Sequence, residues 1–155
     1  MEMSSLLIFV LIIIILEICP ALLPWIIKKP FGPNRYGRPS KPMTLSLSVT
    51  TCLKNYAVFS GRASRSEFWW FHFIYFLIYV GLVIVGKIVQ FDYLPLVSFC
   101  FFLPVLGACI RRLHDINRSG WWILLSISLG GLFVLLYLWV QPTQVDESDT
   151  ARVFE

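Results

Sequence analysis

Two long apolar runs joined by a short charged cluster constrain this chain more than any other feature. The runs cover residues 93–110 and 121–140, and the cluster RRLHDINRSGWW covers residues 111–122. Runs of about 18 or more apolar residues are long enough to cross the hydrocarbon core of a bilayer. A charged cluster between two such runs predicts a turn at the membrane–water interface, where Trp121 and Trp122 would lie in the headgroup layer.

The overall composition points to a membrane protein. Of the 155 residues, 57% are hydrophobic and only 14% are charged, and the mean hydropathy is +0.75. A soluble domain typically carries about 25% charged residues, so this chain has too little polar surface to cover a globule. We therefore predict an integral membrane protein of the all-α class. The four cysteines have no paired spacing that would indicate a disulfide framework or a zinc site.

The apolar pattern predicts four transmembrane helices and one interfacial amphipathic helix. The predicted spans are residues 5–27, 68–90, 93–110 and 121–140. Residues 48–58 repeat apolar side chains with helical spacing beside lysine and arginine, which is typical of a helix lying in the interface. Ser64 or Ser66 is expected to cap the second span. The first run lacks the basic leading region of a signal peptide, so we expect it to be retained.

Lysine and arginine are distributed unevenly between the two predicted sides of the membrane. Eleven of them lie in the connection between the first two spans or in the connection between the last two. The opposite side carries only Lys87 and Arg152. Because the side richer in lysine and arginine faces the cytoplasm, we predict that both basic connections are cytoplasmic and that both termini are periplasmic.

Two motifs carry a resemblance to a known family. They are FSGRASRSEFW at residues 59–69 and RRLHDINRSGWW at residues 111–122. Together they resemble the bacterial inner-membrane family named for domain of unknown function 805, over about residues 48–142. The resemblance implies a small multi-span inner-membrane protein without an assigned reaction.

One departure from that family concerns the order of the chain. Members of the family usually carry an Asn-Arg-Tyr/Phe-Gly motif after the last span, whereas here GPNRYG at residues 32–37 precedes the family-like region. We therefore divide the chain into an extra N-terminal transmembrane helix with a basic turn segment (1–40), a family-like three-span domain (44–142) and a disordered polar tail (143–155). A partial duplication and a permutation would both produce this order.

The arginines of the two basic turns are the main candidates for a binding site. They are Arg62, Arg65, Arg111, Arg112 and Arg118. Because arginine binds phosphate in a bidentate way, they predict recognition of anionic lipid headgroups or of another phosphate-bearing ligand. The alternative is that they only set topology and snorkel to the interface. In a structural variant, Glu67 and Asp115 pair with these arginines and lock the two turns together.

A few other polar side chains are candidates for chemistry. Glu17 lies midway along the first predicted span, where an ionisable group is by default a functional candidate; it predicts either proton relay or a hydrogen bond between helices. His114 and Asp115 are the acid–base candidates for an enzyme acting on lipid headgroups, which requires an open pocket containing both. His72, His114, Asp115 and Cys109 lack a diagnostic metal-ligand spacing, so we predict no metal and no cofactor.

The leading functional prediction is a non-enzymatic structural or accessory module that contacts anionic lipid or a membrane-protein partner through a basic cytoplasmic face. The first alternative is a small transporter or channel subunit that acts as a homo-oligomer, because four helices with few polar intramembrane groups make a poor pore alone. The second alternative is the lipid-headgroup enzyme. No nucleophile–base set or Gly-rich phosphate loop appears, and nothing motivates a nucleic-acid partner.

Overall fold

Helices are the only regular secondary structure in the part of the chain that the structure describes. This structure, a computed structural model, describes residues 33–145 and has no strand in that range. Its elements are α1 (Leu45–Lys54), α2 (Arg65–Ile88), a first 3₁₀ helix (Leu94–Phe101) that runs into α3 (Phe102–Asp115), a second 3₁₀ helix (Gly120–Ile127) and α4 (Leu129–Val140). The all-α prediction is confirmed for these residues. The predicted span 5–27 with Glu17, and the tail from residue 146, lie outside them.

Two stretches of helix in the described range are long and apolar enough to cross a membrane. They are Arg65–Ile88, with 24 residues and a mean hydropathy of 2.0, and Leu94–Asp115, with 22 residues and a mean hydropathy of 1.9. At 1.5 Å per residue, α2 is about 36 Å long, which exceeds the roughly 30 Å of a hydrocarbon core. The turn between them needs a glycine, because a Cβ on Gly86 would lie 2.9 Å from Phe91 O.

Helix α2 begins at a serine cap. Ser64 is the N-cap residue, and its Oγ accepts a hydrogen bond from Glu67 N at 3.2 Å. Ser64 thereby satisfies one of the backbone donors that a helix N-terminus leaves without an intrahelical partner. Glu67 lies in the first turn, where a carboxylate is favoured by the helix dipole. Of the two serines proposed from the sequence, Ser64 forms this cap.

Helix α3 extends five residues into the cluster that was predicted to be a turn. It ends at Asp115, and the chain turns only at Asn117, which has a φ of 58°. Asn117 N donates to His114 O and Arg118 N donates to Leu113 O, both at 2.9 Å, which is a Schellman motif. The prediction of a turn from residue 111 was wrong, because charged side chains do not end a helix when they find partners within the bundle.

The predicted fourth span is also not one continuous helix. Ser128 breaks it with an extended backbone, φ −110° and ψ 149°, and its Oγ accepts a hydrogen bond from Gly131 N at 2.9 Å as the N-cap of α4. The 3₁₀ helix before the break is about 16 Å long and α4 is about 18 Å long. Neither arm alone matches a bilayer core of roughly 30 Å.

The two arms of residues 120–140 form a hairpin whose ends lie at the same end of the bundle. The first arm starts directly after the turn that ends α3. The second arm returns to α3, where Arg112 Nε donates to Trp139 O at 3.0 Å and Arg112 Nη2 donates to Gln141 O. Gln144 N then donates to Asp115 O at 3.2 Å. The chain therefore reverses at Ser128, contrary to the predicted crossing.

The apolar core is concentrated near that same end of the bundle. It joins α1, the first turns of α2, the end of α3 and α4 through Cys52, Phe68, Phe71, Ala108, Leu113, Leu135, Leu138 and Trp139, among others. Elsewhere large apolar side chains point outwards; Phe76 is 58% exposed and Phe99 is 71% exposed. Soluble monomers rarely expose contiguous apolar surface on this scale, whereas lipid-facing helices do so along their length.

Candidate functional site: a buried ion-pair cluster

Five charged residues gather in the interior at the end of the bundle where the hairpin closes. We call them the ion-pair cluster: Arg62, Glu67, Arg111, Arg112 and Asp115. Each has at most 7% of its surface exposed. Because an isolated buried charge is very costly, each of these groups requires a partner inside the protein. The cluster joins the turn before α2 to the last turn of α3.

Asp115 is shared by two arginines. Arg62 Nε lies 3.0 Å from Asp115 Oδ1, and Arg112 Nη1 bonds Asp115 Oδ2. All three side chains are fully buried. Arg62 belongs to the basic turn and Arg112 to α3, so one carboxylate links two segments and partly neutralises two cations. Breaking such a pair by removing one partner typically costs about 3–5 kcal/mol, because the remaining charge stays buried.

The other donors of these two arginines bind main-chain carbonyls of distant segments. Arg62 Nη1 donates to Gly37 O at 3.0 Å, and Arg62 Nη2 donates to Gln144 O. Arg112 reaches the end of α4 as described above. The guanidinium groups of Arg62 and Arg112 therefore hold the N-terminal and C-terminal parts of the described chain against the end of α3.

Glu67 and Arg111 form the second part of the cluster. Arg111 Nη2 lies 3.2 Å from Glu67 Oε1, and Arg111 Nη1 donates to Val58 O at 2.8 Å. Ser40 Oγ donates to the other carboxylate oxygen at 3.3 Å. Cys52 Sγ lies 3.7 Å from Glu67 Oε1. Burial, together with the negative charge of Glu67, raises the pKa of the Cys52 thiol to about 12, so this cysteine stays protonated.

Residues 33–37, which we call the N-terminal strap, lie across the end of α3. Asn34 Nδ2 donates to His114 O at 2.9 Å and to Asp115 O at 3.2 Å. The Tyr36 ring stacks on the His114 imidazole. His114 Nδ1 lies 3.2 Å from Gly61 O, to which the Nδ1–H tautomer donates. Asn117 Nδ2 donates to Pro33 O at 3.4 Å. The strap therefore covers His114 and bonds the carbonyls at the helix end.

The structure separates the five arginines that were predicted as binding residues into two groups. Arg62, Arg111 and Arg112 are buried in ion pairs, whereas Arg65 is exposed. Arg118 is partly exposed, and its guanidinium lies 5.5 Å from the centroid of the Trp122 ring. Burial lowers the pKa of Arg118, which stays charged at neutral pH because the usual value is above 12.

Other cations around the cluster are exposed. We call the exposed set the basic rim: Arg35, Arg38, Lys41, Lys54 and Arg65. Each rim cation lies in or within four residues of a segment that contacts the cluster. Arg35, Arg38 and Lys41 belong to the strap or to the residues around Ser40, Lys54 ends α1, and Arg65 follows the Ser64 cap. The rim cations are therefore neighbours in the chain of residues that contact the cluster, at the same end of the bundle.

The geometry at His114 and Asp115 bears on the enzyme alternative, which needs an open pocket holding both. Both carboxylate oxygens of Asp115 are engaged by arginines and its side chain is fully buried.

Inside the bundle, His72 Nε2 lies 3.5 Å from Cys109 Sγ. Within residues 33–145, no group of three or more His, Cys, Asp or Glu side chains could hold a metal ion.

Several residues that build the site were not predicted from the sequence. Asn34, Tyr36 and Asn117 are the main ones. The sequence signal for the first two is the GPNRYG segment at residues 32–37, whose displaced position does not predict a contact. Asn117 follows a charged helix end in the left-handed conformation. Glycine is the most common residue at this position, and asparagine also occurs there. The carbonyls of Trp139, Gln141 and Gln144 leave no sequence signal, because any residue supplies a carbonyl.

Within residues 33–145, two membrane-length helices, outward apolar side chains, charge gathered at one end and no strand together define a helical membrane protein. The chain belongs to the family described as protein of unknown function (DUF805), which matches residues 56–149. Inner membrane protein YhaI of Escherichia coli strain K12 is 40% identical over 97 residues, which cover 59% of this chain and 81% of that protein. Inner membrane protein YhaH of the same strain is 32% identical over 94 residues, which cover 55% and 78%. No solved structure matches the chain.

Proposed function

We propose that this protein is a non-enzymatic accessory module of the bacterial inner membrane that contacts anionic lipid headgroups through the basic rim. The location is supported by its relatives, which are named inner membrane proteins. The proposal keeps the functional class predicted from the sequence. It moves the contacting residues from the buried arginines to the exposed ones.

The proposal rests on the hydrogen bonds and ion pairs of the buried arginines. Arg62, Arg111 and Arg112 bind carboxylates and carbonyls of this chain, so they act as a scaffold instead of meeting an external ligand. The rim cations stand outside this network on the same end of the bundle. A lysine or arginine near an anionic membrane surface contributes about 1 kcal/mol of attraction, so five together favour anionic lipid substantially.

The rim also supports an orientation. Lysine and arginine are concentrated at the cluster end, which the positive-inside rule assigns to the cytoplasm. The other end of the α2–α3 hairpin carries the exposed pair Lys87 and Asp92, 2.7 Å apart. We propose that α2 and the Leu94–Asp115 stretch cross the membrane and that residues 120–140 enter and leave from the cytoplasmic side. Residues 5–27 would supply a third crossing.

This topology replaces part of the sequence prediction. Because Gln144 bonds Asp115 and Arg62, we propose that residues 141–145, where the C-terminal tail begins, lie on the side of the basic rim instead of the periplasmic side. In this proposal the N-terminus stays periplasmic, since the strap at residues 33–37 lies against the cluster and the run at residues 5–27 is predicted from its sequence to cross once before it. Re-entrant segments at membrane depth occur where protein covers their backbone, and here α3 packs against both arms.

The experiment that tests the proposed function is a lipid-retention measurement on the full chain. Native mass spectrometry would compare phosphatidylglycerol and phosphatidylcholine of identical acyl chains. The variant R35Q/R38Q/K41Q/K54Q/R65Q removes the rim charges, and K87Q at the opposite end is the control. We expect wild type and K87Q to retain phosphatidylglycerol preferentially and the rim variant to lose most of that preference.

Folding of the rim variant is checked independently, because its substituted side chains are exposed and should leave detergent unfolding unchanged. Equal preference for the two lipids in wild type, or an unchanged preference in the rim variant, would contradict a lipid-contacting rim. A protein partner bound by the same surface would then be the class to examine.

A further inference from the structure

An apolar groove lies on the first arm, Gly120–Ile127, of the hairpin formed by residues 120–140. It has a volume of about 370 Å³ and is lined by Ser119, Trp121, Trp122, Leu124 and Leu125. Leu124 is 54% exposed and Trp121 is 77% exposed, so the groove opens to the outside of the bundle. Its size lies within the range of ligand-binding clefts, about 300–1,000 Å³. None of its lining residues belongs to the ion-pair cluster.

One end of the groove is cationic. Arg118 directly precedes the lining residue Ser119, and its guanidinium lies 5.5 Å from the centroid of the Trp122 ring. The groove therefore combines an apolar wall with a positive charge at its end. An amphiphile is complementary to this arrangement, because its apolar chain fits the apolar wall and its anionic head fits the positive charge at the end.

The length of the arm that carries the groove matches the thickness of a single leaflet. The arm that carries it, Gly120–Ile127, rises about 2.0 Å per residue, which gives about 16 Å over eight residues. Half of a typical hydrocarbon core is about 15 Å. Because the chain reverses at Ser128, the arm ends near the bilayer midplane, where an acyl chain of the same leaflet also ends.

We infer that this groove holds one acyl chain of an anionic phospholipid from the cytoplasmic leaflet, with the headgroup phosphate at Arg118. The inference rests on the orientation given under the proposed function, and it assigns a defined lipid site where the basic rim provides a diffuse attraction. Trp121 and Trp122 flank the chain near the headgroup layer, where tryptophan is favoured. The guanidinium binds the phosphate by charge-assisted hydrogen bonds.

The test uses two tryptophan substitutions on the same arm. L124W fills the groove, whereas I127W adds the same side chain at a residue that is 84% exposed and does not line it. Native mass spectrometry of the full chain with an equal mixture of phosphatidylglycerol and phosphatidylcholine counts the lipids that survive detergent exchange. Wild type and I127W are expected to retain one tightly held phosphatidylglycerol, and L124W to lose it.

The headgroup contact is tested separately with R118Q. This variant keeps the groove, so it should still retain one lipid, but its preference for phosphatidylglycerol over phosphatidylcholine should fall by about tenfold. K87Q removes an exposed cation at the opposite end of the α2–α3 hairpin, outside both the groove and the basic rim, and serves as the matched control. Detergent unfolding of L124W checks that the exposed substitution leaves the fold intact.

Equal retention by L124W and I127W would overturn the inference, and the groove would then be covered by residues 5–27 or by a second copy of the chain. An unchanged headgroup preference in R118Q would also overturn it. These outcomes differ from failure of the proposed function: a rim variant that keeps its anionic preference, while L124W loses one lipid, would reject the rim and leave the groove site standing.

Discussion

The phenol ring of Tyr36 lies flat on the imidazole of His114, with 3.8 Å between the ring centroids and 4° between the ring planes. This stack fixes the N-terminal strap on the end of α3. Asn34 adds hydrogen bonds to His114 O, which also accepts from Asn117 N, and to Asp115 O, which also accepts from Gln144 N. The strap thus acts as a C-terminal cap supplied by a distant part of the sequence.

Removing the Tyr36 ring should release the strap. An aromatic stack contributes about 0.5–1.5 kcal/mol beyond the area that it buries, so Y36A should expose residues 33–38 to protease. Limited trypsin digestion, which cuts after Arg35 but not at the Arg38–Pro39 bond, is expected to be several times faster at Arg35 in Y36A than in wild type. Y36F keeps the ring and should behave as wild type; equal cleavage of Y36A and wild type would contradict the docking of the strap.

Neutralising Asp115 should destabilise the protein strongly. D115N leaves Arg62 and Arg112 buried without their counter-charge, and the expected loss is about 3–5 kcal/mol in the free energy of unfolding. Titration with a denaturing detergent, followed by tryptophan fluorescence, measures it. D92N is the matched control, since it removes an aspartate from an exposed pair with Lys87, and exposed pairs contribute about 0–1 kcal/mol. Similar effects of the two variants would contradict the cluster.

The Cys52 thiol should be unreactive in the folded protein. Burial beside Glu67 raises its pKa from the usual 9.0 to about 12, and only the thiolate reacts with maleimide. At pH 8 the thiolate fraction is therefore on the order of 10⁻⁴, and labelling should rise as the pH approaches the shifted pKa. Site-resolved mass spectrometry should show labelling at pH 8 that is at least about 100-fold slower in the folded protein than in the detergent-unfolded chain. Comparable rates would place the thiol outside the core.

Gly61 and Gly81 should respond to alanine with opposite signs. Gly61 has a φ of 84° and open space around the missing side chain, so G61A costs only the left-handed backbone strain, about 1–2 kcal/mol. Gly81 lies within α2, also with nothing within 4 Å of an added Cβ. G81A should stabilise the helix by up to about 1 kcal/mol. A neutral or stabilising effect of G61A in the same detergent titration would contradict the turn geometry.

The helical class and the α2–α3 hairpin could be predicted because both depend on apolar run length. Glu67 and Asp115 could be proposed as ion-pair partners on charge alone. Their pairing with Arg111, Arg62 and Arg112 depends on the turn at Gly61 and on the Ser64 cap, which turn Arg62 inwards and leave Arg65 in solvent. Arg62 and Arg65 therefore lie only three residues apart in one basic motif, yet Arg62 is a buried scaffold side chain and Arg65 belongs to the exposed rim.

The reversal at Ser128 could not be predicted in the same way. A run of 20 mostly apolar residues satisfies the length criterion whether it crosses the bilayer or returns halfway, and serine and glycine are tolerated inside spanning helices. What decides between the two is the contact of Arg112 with the carbonyls of Trp139 and Gln141. Those carbonyls belong to the backbone, so the hydropathy of the side chains cannot predict this contact.

The claim that residues 120–140 return to the side of the ion-pair cluster is tested most directly by cysteine accessibility. In a chain with the four native cysteines changed to serine, S60C marks the basic turn, D92C marks the opposite end and V145C marks the start of the tail, all at exposed positions. A membrane-impermeant maleimide is applied to intact spheroplasts and again after lysis. We predict that D92C reacts at once, whereas S60C and V145C react only after lysis. Labelling of V145C together with D92C in intact spheroplasts would show that the segment crosses the membrane and would contradict this account.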